Sequence, residues 1–330
     1  MAITICGSCM EFGSCTMCDT SPGFSFGGTI KAECGFAQLP SHAQGSVSGY
    51  TSGSTPSQSA CGIDKFSFTS DGNATDVGQL TQARLCAAGQ SSDVSGYTSG
   101  GNGPGKKDTI DKFAFASDGN ATDVGELTLA RLGVAGQSST VSGYTVGGEP
   151  IGSPFDGTNV IDKFPFASDA NGTDVGDLTQ ARLSSVGQSS GDSGYTSGGR
   201  GPAPNFDTID KFPFASDGNA TDVGELTTGK YAAAGQNSAQ SGYTSAGRVN
   251  PPIVDTIEKF PFASDGPASD VGELTQGRYT SAGQSSTESG YTSGGDSKDT
   301  IDKFPFASDA NATDVGNLTD SRSCVTGQQV

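Results

Sequence analysis

The sequence predicts an all-β fold: a β-propeller of six blades behind a short Cys-rich segment. Three observations lead there. A phrase close to I-D-K-F-P-F-A-S-D-G-N-A-T-D-V-G-E-L-T occurs six times, starting at Ile63, Ile110, Ile161, Ile209, Ile257 and Ile301. The intervals of 47, 51, 48, 48 and 44 residues fit four strands of about 5–6 residues plus their turns. Within a copy the strand-like runs lie too close together for helical crossovers, so each sheet must be an antiparallel meander.

The second copy shows the elements in order. Ile110-Asp111-Lys112-Phe113-Ala114-Phe115 alternates, placing Asp111, Phe113 and Phe115 on one face and Ile110 on the other. Twelve of the eighteen phenylalanines occupy these two positions across the copies, which makes them the aromatic core of the blades. Pro165, Pro213, Pro261 and Pro305 separate the pair in four copies; without an N–H, proline ends this strand or leaves one side unpaired. Residues 117–123 are turn formers, and 124–128 read as a short strand. Arg131 then opens a run of small residues, Leu132-Gly133-Val134-Ala135-Gly136-Gln137, suited to a crowded position near a central axis. Its Gly-Gln pair recurs at Gln90, Gln137, Gln188, Gln236, Gln284 and Gln328. Gly143-Tyr144-Thr145-Val146 closes the unit and runs into Gly147-Gly148, where positive φ is permitted.

The chain starts and stops in mid-blade. Its first recognisable strand is at Gly49-Tyr50 and its last runs from Arg322 to about Gln328. The C-terminal strand is therefore expected to complete the first blade and remove the open edges of a linear array. A degenerate strand within 38–44 is the competing choice, but it lacks the basic residue and Gly-Gln. The expected division is a Cys-rich anchoring segment at 1–45 and a propeller at 46–330.

These residues resemble the kelch repeat. The double glycines Gly100-Gly101, Gly147-Gly148, Gly198-Gly199 and Gly294-Gly295 fit, with Ser245-Ala246-Gly247 and Ser52-Gly53-Ser54 as degenerate versions. Arg84, Arg131, Arg182, Arg278 and Arg322 stand where kelch repeats carry a basic residue, and Lys230 stands in once. The departure is the missing tryptophan near Val77, Val124, Val175, Val223, Val271 and Val315. The resemblance covers about residues 46–330 and implies a six-bladed kelch-like β-propeller, a fold that hosts many functions. The wording K-F-P-F-A-S-D-x-N-A-T-D-V-G with G-Y-T-S-G-G is also similar to repeat-bearing tail-fibre and tail-collar-like virion proteins of marine bacteriophages. That second resemblance implies a virion protein made in a host cytoplasm.

The formal net charge of −18 repels phosphate backbones and anionic membranes, so neither nucleic acid nor a membrane is an expected partner. No apolar run approaches the roughly 18 residues of a membrane span, and the N-terminus lacks the basic and apolar regions of a signal peptide. Catalysis is not expected. His42 is the only histidine and lies outside the repeats, so no Ser/His/Asp or Cys/His set can form on the propeller, nor the histidine-ligated copper of kelch oxidases.

Cys6, Cys9, Cys15 and Cys18 have the paired two-residue gaps of a zinc or iron–sulfur centre, and Cys34 follows. Their five-residue spacer is short for a zinc ribbon, so disulfides and free thiols stay open beside the metal. Cys86 and Cys324 follow two blade arginines and are expected to be too far apart to bridge; Cys61 reads as a free thiol. The Asp-Gly-Asn loops offer oxygen ligands but lack the acidic density of an EF-hand, so calcium is not expected. The Asn-x-Thr triplets, such as Asn120-Ala121-Thr122, are expected to be bare.

The segments after the double glycines, 102–108, 149–159, 200–207, 248–255 and 296–299, differ most between copies and should gather on one face. Diverse loops on a rigid scaffold are how binding surfaces are commonly made. Phe155, Asp156, Arg200, Phe206 and Arg248 are the candidate ligand contacts, Phe155 and Phe206 being the repeat-region phenylalanines outside the core pairs. The expected function is a non-enzymatic binding or adhesion module of a virion, held to other virion proteins by the N-terminal segment and presenting loops to a host-surface glycan or protein. The alternatives are a virion spacer or decoration protein and a bacterial kelch-like scaffold.

Overall fold

The computed structural model describes the backbone of residues 3–6, 9–12 and 15–18, and residues 44–54, 61–153, 155–202 and 205–330 in full. The chain divides into two compact units, Met1–Leu39 and Pro40–Val330. The first carries a three-stranded antiparallel sheet, Ile3–Cys6, Cys9–Phe12 and Cys15–Cys18. The side chains of Cys6, Cys9, Cys15 and Cys18, and with them the metal site, lie outside the described residues.

The second unit is a six-bladed β-propeller of four-stranded antiparallel sheets, with no helix among the described residues. In the second blade the order from axis to rim is Ala88–Ser91, Ser95–Ser99, Thr109–Ala114 and Thr122–Glu126. In the first blade the innermost strand is Thr326–Gln329, paired antiparallel to Ser48–Ser52 with Gln328 opposite Tyr50. The C-terminus thus closes the ring as the repeat count requires. Alternating strand direction sends the connections between second and third strands, and those from each rim strand to the next axial strand, to one face, here the loop face. The two remaining turn types occupy the other, the turn face.

The small-residue strands do line the axis, around a cavity of about 130 Å³. Backbone approach there is so close that a Cβ on Gly187 would sit 2.1 Å from the Gly136 carbonyl oxygen. This is why the Gly-Gln pair permits no side chain at its first position. The glutamines are buried and span neighbouring blades. Gln137 Nε2 donates to the Tyr195 carbonyl at 2.8 Å, and Gln328 to the Tyr97 carbonyl at 3.0 Å.

The phenylalanine pairs pack between blades rather than inside one. Tyr144 lies 5.4 Å from Phe212 and stacks at 4.9 Å on Phe214 of the next blade. Tyr291 of the last blade meets Phe66 and Phe68 of the first in the same way. Ile161 and Leu178 complete the wall beside Tyr144. Each wall is thus an apolar seam shared by two sheets, and aromatic pairs of this geometry stabilise by about 0.5–1.5 kcal/mol beyond area burial. The proline of the phenylalanine pair is the last residue of its strand, as in Thr208–Pro213.

The basic residues differ from expectation. They precede the axial strands, which begin four residues later, as Ala88 follows Arg84. In two blades the rim strand itself runs on to the arginine, Thr173–Arg182 and Thr313–Arg322.

Candidate binding face

The base of each loop is an ion pair that the sequence reading missed. The Asp of I-D-K-F is fully buried and pairs with the basic residue of its own blade: Arg84–Asp111 at 3.0 Å, Arg131–Asp162 at 2.9 Å, Arg182–Asp210 at 2.7 Å, Arg278–Asp302 at 2.5 Å and Arg322–Asp64 at 2.7 Å. A threonine from the end of the preceding blade's rim strand donates both its N–H and its hydroxyl to the same carboxylate, as Thr128 does to Asp162 at 3.0 and 2.7 Å. The guanidinium also donates to backbone carbonyls at both ends of the loop; Arg182 reaches Gly198 at 3.0 Å and Thr208 at 3.2 Å. In the blades of Arg84, Arg131, Arg182 and Arg278 the loop therefore leaves from a platform braced at both ends, while Arg322 reaches the Gly62 carbonyl alone and Lys230 the Thr256 hydroxyl.

Burial holds Arg84, Arg131, Arg182 and Arg278 below the usual guanidinium range and pushes the Asp111 carboxyl up. These are desolvated structural pairs, closed to substrate on every side. The signal was legible: wherever the chain has Arg it has I-D-K-F, and at the one Lys, Lys230, the partner phrase is I-E-K-F with Glu258. The shorter cation and longer carboxylate meet at 2.9 Å, and Thr227 bonds to Glu258 as its equivalents do to aspartate.

Above this platform the loops interlock in an arc. Lys106 of the second blade donates to Glu149 at 2.7 Å and to the Pro150 carbonyl at 2.6 Å. Phe155, 59% exposed and at φ +68°, stands 5.1 Å from the guanidinium of Arg200. That guanidinium lies 5.3 Å from the Tyr231 ring. Asn205 Nδ2 reaches the Arg248 carbonyl at 3.5 Å, and Arg248 lies 5.6 Å from the Tyr279 ring. Of the five candidate residues, the structure brings Phe155 and Arg200 together and puts Arg248 at the next step of the arc. Asp156 is exposed beside Phe155. Phe206 turns inward, 5.5 Å from Arg182, and braces its own loop.

The sequence reading named neither Tyr231 nor Tyr279. Both follow the blade's basic residue directly, where three other blades carry leucine, and that substitution was the available signal. Among the described residues, Arg200 and Arg248 are the guanidinium groups without a carboxylate partner, in a chain of net charge −18. Arg248 Nε is buried and makes no hydrogen bond. A cavity of about 430 Å³ opens beside Arg200, lined also by Pro202, Asn205, Tyr231 and Asn250. A guanidinium stacked on an aromatic face keeps its N–H edges for a ligand, and two parallel N–H groups match a carboxylate.

The turn face is uniform by contrast. Each I-D-K-F lysine reaches the Ser-Asp aspartate of the next blade, from Lys65–Asp118 at 2.9 Å round to Lys303–Asp71 at 2.9 Å. The Asn of Asp-Gly-Asn accepts from the neighbouring rim strand, as Asn120 does from Gln79 N at 3.1 Å. Oxygens that could be ligands are thus engaged in joining blades. Among the described residues no group of three or more His, Cys, Asp or Glu side chains is placed to hold a metal ion.

A scan against protein-family models finds no match to this chain, and a search of curated proteins finds no relative in sequence. The propeller stands on its geometry, and the likenesses to kelch repeats and tail-fibre proteins rest on the residues quoted for them.

Proposed function

We propose that the protein is a non-enzymatic binding module whose loop face takes a ligand bearing a carboxylate or similar oxyanion. The observation that carries this reading is the Phe155–Arg200–Tyr231 stack beside its cavity, continued by Arg248 on Tyr279. A half-buried guanidinium that lies on an aromatic ring and has no carboxylate partner keeps its charge and N–H groups for an incoming anion. The likeness to tail-fibre proteins supports a further step: the module belongs to a virion, is joined to other virion proteins through its N-terminal segment, and meets a host-surface glycan or protein.

The test exchanges loops 149–159 and 200–207 for the short 296–299 type, alongside Arg200→Ala/Arg248→Ala. Both proteins should remain folded and melt cooperatively, because the inter-blade walls are untouched, while attachment to host cells weakens at least tenfold. Normal assembly and normal adsorption would point to a spacer or decoration role instead. Purification of the native chain with an intracellular complex would favour a bacterial scaffold.

A further inference from the structure

At the loop-face mouth of the axial cavity, six residues form a closed backbone ring. Gly133 N donates to the Cys86 carbonyl at 2.8 Å, Ser184 to Gly133 at 2.7 Å, and Ala232 to Ser184 at 2.8 Å. Thr280 donates to Ala232 at 2.6 Å, Cys324 to Thr280 at 2.9 Å, and Cys86 to Cys324 at 2.8 Å. Every member has positive φ, between +53° and +65°. One blade contributes each residue, and the step from Cys324 to Cys86 joins the C-terminal closing strand to the axial strand of the second blade.

That step brings two thiols together, contrary to the expectation from sequence. The N···O distance of 2.8 Å and standard backbone dimensions limit the two α-carbons to at most about 6.7 Å apart, inside the roughly 4.4–6.8 Å that disulfides span. The two thiols act on each other's acidity, Cys86 being pushed up and Cys324 down. Both are half-buried and line a cavity of about 70 Å³ at the mouth, so a small reagent can approach along the axis. The sequence hid the contact because the two residues lie 238 positions apart and meet only through ring closure.

We propose that Cys86 and Cys324 form a disulfide site that covalently locks the closing strand to the neighbouring blade, with a small disulfide of the oxidised-glutathione class as the oxidant. Cys324 is the nucleophile: the facing Cys86 side chain, with a smaller influence from Thr280, holds its thiol below the ordinary range against burial. The neighbouring Cys324 and burial keep Cys86 protonated longer. The Cys324 thiolate attacks one sulfur of the reagent, expels one thiolate and leaves a mixed disulfide. Cys86 then gives up its proton, attacks Cys324 Sγ and expels the second reagent thiol. Two protein thiols are oxidised, and one reagent disulfide is reduced to two thiols.

The experiment uses the full chain, reduced and then exposed to oxidised glutathione, with Cys86→Ser and Cys324→Ser beside it. Serine suits these positions, since Ser184 holds the same place in the ring at φ +53°. Mass spectrometry of a non-reduced digest should find the peptides of Cys86 and Cys324 joined. The melting temperature should rise by roughly 5–15 °C, because the bond closes a very long loop. Each serine variant should lose that rise, and Cys86→Ser should leave glutathione attached to Cys324. The proposal is overturned if the parent retains both thiols or stops at the glutathione adduct. It is also overturned if the rise persists in both variants, which would assign it to the other cysteines.

Discussion

Asp162 and Lys163 are consecutive residues of one strand, and each makes an ion pair that recurs in all six blades. Asp162 points into the blade, where Arg131 meets it at 2.9 Å with both side chains fully buried. Lys163 points the opposite way, toward the turn face, and meets Asp217 of the next blade at 2.8 Å, with side chains 27% and 52% exposed. The inner belt is desolvated and braced by threonine, so losing one partner strands a charge. The outer belt is screened by water, so losing one partner releases a side chain to solvent. Similar distances on adjacent residues therefore imply different contributions, and burial decides which is large.

The largest break is in ring closure, on which both belts depend. Removing residues 325–330 takes away the axial strand of the first blade while sparing Arg322 and its pair with Asp64. The exposed edge of Ser48–Ser52 is an association site. The truncated chain should aggregate or lose most of its cooperative melting transition in light scattering and calorimetry; parental melting would mean that the ring closes otherwise.

Alkali should act on the outer belt as a whole. Hydrogen bonds to the next blade's aspartate raise Lys65, Lys112, Lys163, Lys211 and Lys303 above the ordinary 10.5. Burial chiefly raises Tyr50, Tyr97, Tyr144, Tyr195, Tyr243 and Tyr291 above 10.0. The folded state keeps these protons when the unfolded chain has begun to lose them, so its advantage is complete below about pH 10 and fades as pH rises through the raised values. The melting temperature should fall steadily from pH 10 upward, and less steeply in Lys163→Met. A flat profile to pH 11 would contradict this.

Single substitutions sharpen the contrast. Asp162→Ala leaves the Arg131 guanidinium buried without its partner and should cost about 3–5 kcal/mol. Lys163→Ala should cost about 0–1 kcal/mol. Urea titration of the two proteins decides the matter, and equal losses would remove the distinction drawn between the belts.

A finer test concerns the one blade that departs from the rule. Lys230→Arg and Glu258→Asp should each destabilise, since one overfills and the other underfills the site, while the double variant restores the Arg–Asp arrangement of the other blades. A coupling of about 0.5–3 kcal/mol is expected from the double-mutant cycle. Strict additivity would show that the paired change is coincidental.

Much of this molecule was legible because a repeat reports its own geometry. Spacing, alternation at Ile110–Phe115, the Gly-Gln pairs and the mid-blade termini led to six blades closed by the C-terminus, since each unit must bury the same faces as its neighbours. The loops 149–159, 200–207 and 248–255 were legible as the variable face, because nothing in blade packing accounts for their residues. What tertiary structure alone decided are the contacts made between copies. Periodicity places Phe113 on a face but does not say that the face meets Tyr50 of the preceding blade. Nor does it say that Arg200 lies over Tyr231, or that Cys324 returns beside Cys86. A one-dimensional pattern records which way a side chain points from its own strand. Which residue stands opposite depends on how the sheets twist around the axis and on the ring closing upon itself, and both are properties of the assembled chain.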